Sequence, residues 1–202
     1  IYLGSFDPIH AAHIDIPLHI KDHYQLTKII FVPTKKSPIG RKFLAKYDDR
    51  VSMIQNAIKG YKFFSVSTFE NLSEETSYSI DTINYFNKKY ETSSLRLIMG
   101  EDNFHNFTSW HRHLDILSMA SIIVLCRDNY SNYAKIELLD SYIEKNINLF
   151  NQSKSGKIHL SNKYKSQISG SLLRDMIKKN QSTENIVSKV NYEFIKKNGL
   201  YK

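Results

Sequence analysis

Short apolar runs alternate with amphipathic stretches from one end of the chain to the other. The runs are rich in Ile, Val, Leu or Phe, and apolar positions then recur at helical spacing. The predicted strands are 1–3, 28–32, 63–66, 95–99, 121–126 and 157–160. The predicted helices are 12–24, 48–59, 78–90, 112–118, 136–149, 171–179 and 184–197. Because such strands and helices are typical of a parallel sheet covered on both faces, the pattern predicts a doubly wound α/β fold with a small helical C-terminal part.

The segments between these elements indicate one domain. No internal repeat and no Gly/Ser-rich or Pro-rich linker divides the chain, so we expect a single domain over residues 1–202. Polar stretches at 34–46 and 150–168 predict long loops, which are often functional in compact domains. Pro17 lies inside the first predicted helix and lacks a backbone donor, so that helix should kink there or begin later.

Composition and charge restrict the classes of function. Apolar residues are 41% and charged residues 24% of the 202, which excludes collagen-like and wholly disordered chains. No run approaches the roughly 20 apolar residues of a membrane-spanning helix. The net charge of +8 favours anionic partners such as nucleotides or nucleic acid. The single cysteine, Cys126, lies in an apolar run and predicts a buried strand thiol. With no recognisable secretory signal, we expect a cytoplasmic protein.

The first strand, turn and helix carry the clearest chemistry. Ligands of doubly wound sheets bind beyond the carboxyl ends of the strands, and the turn after the first strand reaches that edge. Gly4 allows a ligand to approach the backbone closely, or a positive φ. His10 and His13 are three residues apart, so both imidazoles can project from one side of the helix start, beside backbone N–H groups. The pattern favours a phosphate site over structural histidines or half of a zinc site, since no further ligands stand at metal spacing.

Two segments near the ends of the chain resemble known signatures. Residues 4–13, GSFDPIHAAH, are similar to the G-[TS]-F-D-P-x-H-x-[GA]-H motif of the nucleotidylyltransferase superfamily, and residues 168–174, ISGSLLR, to its I-S-x-[ST]-x-[IL]-R motif. The resemblance implies a Rossmann-like fold in which both segments close around the phosphates of ATP. From the residues themselves, Ser169 or Ser171 can cap the helix that follows, and Arg174 adds a guanidinium fork. The expected catalytic residues are His10, His13 and Arg174, and the expected ATP contacts here are Gly4, Ser5, Phe6, Ser169 and Ser171.

The middle of the chain narrows the resemblance. Segments LIMGEDN, FTSWHR, RVSM and TSYSIDT, together with the tail NGLY, are similar to segments of the nicotinate/nicotinamide mononucleotide adenylyltransferases. The resemblance therefore extends over about residues 1–202. It implies transfer of the adenylyl group of ATP to nicotinate mononucleotide, giving deamido-NAD and pyrophosphate, a step of NAD biosynthesis.

Three residues are candidates to contact the pyridine ring of the mononucleotide or the carboxylate on that ring. Trp110 has polar neighbours, and its indole could stack on a pyridinium; the alternative is a Trp that packs on nearby apolar residues. Ser77 and Tyr78 open a predicted helix, so their backbone N–H groups could bind a carboxylate. Nicotinate has that carboxylate and nicotinamide does not, which predicts a preference for the acid. The alternative for Ser77 is an ordinary helix N-cap.

Further candidates follow from position. Asp102, after a strand and a Gly turn, could accept hydrogen bonds from ribose hydroxyls, and Arg127, after the next strand, could contact the phosphates or adenine. The loop after the second strand contains Lys36 and Arg41, which could receive the phosphate of the mononucleotide. This loop departs from the family pattern, because Ile39 stands where a histidine is usual.

The expected partners are ATP and nicotinate mononucleotide, with no nucleic acid and no membrane; a homo-oligomer stays open. Mg²⁺ is expected to be carried by the ATP phosphates, and no protein metal site is expected. One alternative function is pantetheine-phosphate adenylyltransferase, which shares both end signatures. The other is a basic nucleic-acid-binding domain, although the lysines are scattered rather than concentrated on one face.

Overall fold

The computed structural model describes residues 1–72, 76–126, 137–162, 166 and 168–202. The strands in these residues are β1 (Tyr2–Gly4), β2 (Ile29–Pro33), β3 (Phe64–Val66), β4 (Leu95–Gly100), β5 (Ala120–Leu125) and β6 (Ile158–Ser161). The α-helices are α1 (Ala11–Lys21), α2 (Tyr47–Ile58), α3 (Ser79–Lys89), α4 (Glu101–His105), α5 (His113–Met119), α6 (Ile147–Gln152), α7 (Gly170–Lys178) and α8 (Lys189–Lys197). Short 3₁₀ helices span Phe69–Leu72, Phe107–Ser109 and Glu137–Tyr142.

The six strands form one parallel sheet in the order β3-β2-β1-β4-β5-β6. The chain first builds outward from β1 to β3 and then returns to build β4 to β6 on the other side. In such sheets the crevice at the point of reversal, outside the carboxyl ends of the strands, is where ligands bind. Here that point lies between β1 and β4, which pair at Tyr2 and Ile98. The prediction of a doubly wound α/β fold is confirmed.

Two apolar layers cover the faces of the sheet. One contains buried residues of β1, α1, α2 and the C-terminal helices, including Phe6, Met53, Leu173 and Ile195. The other contains residues of β4 and β5 with α3 and α5, including Ile83 and Ile116. The helices α7 and α8 form the small C-terminal part that the sequence predicted. No helix of the described residues is both long enough and apolar enough to span a lipid bilayer.

The helix predicted over 136–149 is wrong. The chain instead makes the 3₁₀ helix Glu137–Tyr142, leaves it at Ile143, and begins α6 at Ile147. Ile143 forms a β-bridge with Ile158, which takes it out of any helix. The Asn146 side chain then accepts hydrogen bonds from the N–H groups of residues 148 and 149 and caps α6. Apolar residues from a 3₁₀ helix, a β-bridge and a short α-helix therefore mimic one helical period.

Other boundaries also differ from the prediction. The last helix starts at Lys189, capped by Ser188, rather than at 184. The first begins at Ala11 and contains Pro17, so the expected later start does not occur. Part of the predicted 150–168 loop is the end of α6 and the strand β6. Cys126 directly follows β5 and is buried, as expected.

Candidate active site

The turn between β1 and α1 lies at the carboxyl edge of the sheet, beside the reversal point. Gly4 has no positive φ; the positive φ of this turn belongs to Phe6. A Cβ on Gly4 would come within 2.9 Å of the Phe6 ring, so glycine is required here by packing. Phe6 is completely buried and makes edge contacts with Phe31 and His13. The Phe6 ring therefore supports the turn from inside. The contact of Phe6 with ATP stays a prediction. Ser5 is half-buried on the same turn.

The two histidines form one stacked pair at the start of α1. The ring centroids of His10 and His13 are 3.7 Å apart, with an angle of 25° between the planes. The backbone N–H of His10 donates to Nδ1 of His13 over 3.2 Å. Because Nδ1 accepts this bond, the proton of a neutral His13 ring is on Nε2. His13 therefore has an N–H donor on the ring nitrogen that the turn does not use.

Both imidazoles are held neutral at physiological pH. Burial lowers the pKa of His10 to about 4. Burial, assisted by the neighbouring His10 ring, lowers the pKa of His13 well below its usual value. Two neutral rings can stack closely, whereas two cations would repel each other. The pair thus offers hydrogen-bond donors rather than fixed positive charges.

Asp7 connects this turn to two distant parts of the chain. Its carboxylate accepts hydrogen bonds from the backbone N–H groups of Leu44 (2.7 Å) and Ala45 (3.0 Å), at the end of the loop after β2. It also accepts one from the hydroxyl of Tyr201 over 2.7 Å. All these contacts are made by a side chain that is itself buried. Asp7 is therefore a structural centre of the site.

The second signature meets the first at the same residue. Nη1 of Arg174, in α7, donates to the backbone carbonyl oxygen of Asp7 over 2.6 Å. Ser169 caps α7 by accepting from the N–H of Leu172 over 3.2 Å, which selects it over Ser171 as the cap. Ser171 is exposed in the first helical turn. A guanidinium has five N–H donors, so the contact with Asp7 leaves others for an anion.

A cationic pocket of about 480 Å³ opens beside the turn. It is lined by residues of the loop after β2 and the start of α2, namely Lys35, Lys36, Ser37, Gly40, Arg41, Lys42, Phe43, Ala45, Tyr47 and Arg50. Its deepest cation, Arg50, is completely buried; Nη1 donates to the carbonyl oxygen of Ser5 over 2.7 Å. The guanidinium also lies over the Phe43 ring, 4.2 Å from its centroid. Lys36 and Arg41 are exposed at the rim of this pocket, so the structure brings both near the turn between β1 and α1.

The segment before α3 lies against the segment that contains Trp110. The rings of Tyr78 and His111 are 4.7 Å apart. Trp110 is half-buried and makes an edge contact with Phe107, with ring centroids 5.5 Å apart. Tyr78 is the N-cap residue of α3, whereas the Ser77 side chain bonds to Glu70. The alternative interpretation of Ser77 as an N-cap is therefore wrong.

The remaining predicted contacts follow the strands on the other side of the reversal point. Asp102 is exposed in the first turn of α4, two residues after β4 ends at Gly100. This position is at the same edge of the sheet as the β1–α1 turn, because β4 pairs with β1 in parallel. Arg127 lies outside the described residues. In the described residues, no group of three or more His, Cys, Asp or Glu side chains could hold a metal ion.

Sequence reasoning gave no role to Asp7, Arg50, Glu70 or Tyr201. One signal was available for Arg50: it lies on the apolar face of α2, three residues before Met53 and four before Ile54. A charge on that face must find a buried partner. The role of Asp7 depends on Tyr201, and no local pattern connects residues so far apart in the chain.

Comparison with known proteins agrees with this geometry. The chain belongs to the cytidylyltransferase-like family, which matches residues 1–176. A Legionella pneumophila (strain Corby) relative, named probable nicotinate-nucleotide adenylyltransferase, is 30% identical over 205 residues, covering 100% of this chain and 97% of the relative. An Aquifex aeolicus (strain VF5) relative of the same name is 32% identical over 153 residues, covering 74% and 90%. Within the family, the chain belongs with the nicotinate-nucleotide adenylyltransferases.

The fold is similar to that of a solved relative. A Plasmodium falciparum nicotinic acid mononucleotide adenylyltransferase complexed with NaAD superimposes with a TM-score of 0.74 at 18% sequence identity. The match covers 99% of this chain and 95% of the other. The Rossmann-like architecture expected from the two signatures is thereby confirmed.

Proposed function

We propose that the protein transfers the adenylyl group of ATP to nicotinate mononucleotide, forming deamido-NAD and pyrophosphate. The observation that carries the proposal is the contact between Arg174 and Asp7. It joins the second signature segment to the turn with His10 and His13, at the crevice where doubly wound folds bind ligands. The names of the relatives from Legionella and Aquifex support this choice of substrates.

The chemistry needs positioning more than a strong base. The phosphate of the mononucleotide is already ionised near neutral pH, attacks the α-phosphorus of ATP in line, and displaces pyrophosphate. The Nε2–H of His13 is a neutral donor for an oxygen of the α-phosphate. The unused N–H groups of Arg174 and the hydroxyl of Ser171 face the departing phosphates. Donors fixed in advance by the turn stabilise charge as it develops in the transition state.

Magnesium enters this scheme as part of the MgATP substrate. The buried carboxylate nearest the histidine pair in the chain, Asp7, already accepts hydrogen bonds from Leu44, Ala45 and Tyr201. The other groups at the turn are imidazole and guanidinium nitrogens, which are poor ligands for a hard cation. The donor set thus fits an ion carried by phosphate oxygens and water.

The mononucleotide is assigned to the side of the site that contains the cationic pocket. Lys36 and Arg41 would receive its phosphate, with the buried Arg50 adding positive potential behind them. Backbone N–H groups at Ser77 and Tyr78 would hold the nicotinate carboxylate, and Trp110 would stack on the ring. Gly4, Ser5, Asp102, Ser169 and Arg127 are assigned to ATP. We further propose one cytoplasmic domain over residues 1–202, with neither nucleic acid nor membrane as a partner.

The decisive experiment measures pyrophosphate release with ATP and three acceptors. Nicotinate mononucleotide should give the highest kcat/KM, nicotinamide mononucleotide a lower value, and phosphopantetheine none. Turnover of phosphopantetheine alone would transfer the assignment to pantetheine-phosphate adenylyltransferase. If none of the three acceptors supports pyrophosphate release, and DNA or RNA binds with a steep dependence on salt, the nucleic-acid-binding alternative would be favoured.

A further inference from the structure

A buried carboxylate lies between the two segments assigned to the mononucleotide. Glu70, in the 3₁₀ helix Phe69–Leu72, is 5% exposed. Its Oε2 accepts a hydrogen bond from the backbone N–H of Lys35 over 3.1 Å, at the start of the cationic loop. Its Oε1 accepts one from the hydroxyl of Thr82 over 3.3 Å, and the carboxylate also bonds to the side chain of Ser77. One side chain thus connects the loop after β2 to the first turn of α3.

Burial makes the ionised form of Glu70 unfavourable at this location. Burial raises the pKa of Glu70 to about 7, although the three hydrogen bonds and the Arg50 charge oppose that rise. Tyr47 and Arg50 are the titratable side chains of α2 that interact with it. A neutral residue would fold here at lower cost, since burial disfavours the ionised form. The carboxylate therefore needs a reason beyond stability.

We propose that Glu70 is a positioning residue for the mononucleotide half of the site, an inference that rests on the proposed function. The neighbours of its partners are the substrate contacts: Lys36 follows Lys35, and Tyr78 follows Ser77. An ionised carboxylate accepts from all three donors at once, and so fixes the phosphate side and the nicotinate side of the acceptor at one separation. The ATP side, built on His13 and Arg174, does not depend on it.

The proposal predicts that substitution of Glu70 changes KM for nicotinate mononucleotide much more than KM for ATP. Glu70→Gln keeps the shape and an acceptor for Lys35 but removes the charge. Its KM for nicotinate mononucleotide should rise about tenfold, as expected for a lost interaction with one substrate, while KM for ATP changes less than about twofold. Thr82→Val removes one of the three donors and should raise KM for the mononucleotide by about threefold. Asp140→Asn, which neutralises an exposed carboxylate, is the matched control and should leave both values unchanged.

The pH dependence of kcat/KM is a readout that a merely structural role would not produce, and the pH dependence of stability tests the raised pKa of Glu70. In the wild type, kcat/KM for the mononucleotide should rise between about pH 6 and 8 as Glu70 ionises, and Glu70→Gln should lose that part of the rise. Because the pKa of Glu70 is higher in the folded chain than in the unfolded one, the wild type loses stability as pH rises through 7. The melting temperature of Glu70→Gln, relative to that of the wild type, should therefore be higher at pH 8 than at pH 5.

The outcomes separate the two proposals. A wild-type enzyme that transfers no adenylyl group to nicotinate mononucleotide would refute the proposed function. An active wild type with an unchanged mononucleotide KM in Glu70→Gln would refute the role of Glu70 alone. An equal rise of both KM values, together with a lower melting temperature at pH 8, would also refute it, since that result describes general structural damage.

Discussion

The hydroxyl of Tyr201 donates a hydrogen bond to the carboxylate of Asp7 over 2.7 Å, although 194 positions separate the two residues. Burial and the Asp7 carboxylate raise the pKa of Tyr201, so its hydroxyl stays protonated and can donate. Asp7 is in turn bonded to the loop that ends at Leu44 and, through its backbone carbonyl, to Arg174. The C-terminal tail therefore stabilises the turn that contains the histidine pair.

Removing this hydroxyl should weaken the fold and the site together. Tyr201→Phe keeps the ring but leaves a buried carboxylate with one donor fewer, so the free energy of unfolding should fall by about 2 kcal/mol. Urea unfolding measures the loss. Tyr61→Phe, which changes a more exposed tyrosine, is the control and should stay within about 0.5 kcal/mol of the wild type. Equal midpoints for Tyr201→Phe and the wild type would show that the contact contributes nothing.

The donor on Nε2 of His13 can be tested separately from the acceptor on Nδ1. Asn at this position can still accept from the His10 N–H through its side-chain oxygen, but it has no donor where Nε2–H lies. His13→Asn should reduce kcat by about 10²–10³-fold, the usual effect of losing one preorganised donor, with little change in the melting temperature.

His13→Gln is the partner variant, because its longer amide can reach toward the Nε2 position. It should recover part of the rate lost in His13→Asn. A His13→Asn enzyme with wild-type kcat would remove His13 from the catalytic machinery. An equally inactive, well-folded Gln variant would show that the amide does not replace the ring donor.

The sequence predicted β2, β4 and β5 well because these strands are buried on both faces. Runs such as the one that forms β5 contain no polar alternation, and neither solvent exposure nor a turn residue interrupts them. Each of the two signature segments could also be identified from residues that are close together in the sequence. Their residues stand within a few positions of one another, so the turn and the capped helix could be assigned before their contact was known.

Features that depend on tertiary contacts could not be predicted in this way. The period of 136–149 looked helical, but its apolar residues belong to a 3₁₀ helix, a β-bridge and α6. Leu139 and Ile143 pack in one apolar layer of the fold, whereas Ile147 packs in the other. The packing role of Gly4 could not be predicted either, because the Phe6 ring comes to lie beside Gly4 only when the turn has folded. No sequence pattern indicated a role for Glu70, because its hydrogen-bond donors lie in two segments that meet only in the folded chain.

Acid should destabilise the protein through His10. The pKa of its imidazole is about 4 in the folded chain, against 6.5 as the ordinary value. Between these values the unfolded chain binds a proton that the folded chain does not, so the free energy of unfolding falls as pH falls from 6.5 to 4. The wild type should lose about 3 kcal/mol relative to His10→Gln over this interval.

The comparison is made by urea unfolding of both proteins at several pH values. Using the difference between them cancels the contribution of Glu70, which has the opposite sign because its pKa is raised. His105→Gln changes an exposed histidine and should follow the wild-type curve. Parallel curves for His10→Gln and the wild type would show that His10 titrates normally in the folded protein.

The guanidinium of Arg96 should be essential for stability and dispensable for chemistry. It is buried at the start of β4, and its Nη2 donates to the carbonyl oxygens of Phe150, Asn151 and Ser153. These bonds attach the end of α6 to the sheet. The Phe150 carbonyl also accepts from the hydroxyl of Ser153. Arg96→Met keeps much of the volume but removes the guanidinium donor from the carbonyl groups of Asn151 and Ser153, so the free energy of unfolding should fall on the order of 3 kcal/mol.

Activity should respond differently, because Arg96 and Gly100 are at opposite ends of β4 and the candidate site lies beyond Gly100. At a temperature where Arg96→Met is folded, its kcat and both KM values should equal those of the wild type. Lys88→Met changes an exposed residue of α3 and should alter neither stability nor rate. A folded Arg96→Met enzyme with reduced kcat would show that the end of α6 is coupled to the site, whereas an unchanged unfolding midpoint would show that water replaces the lost donor without cost.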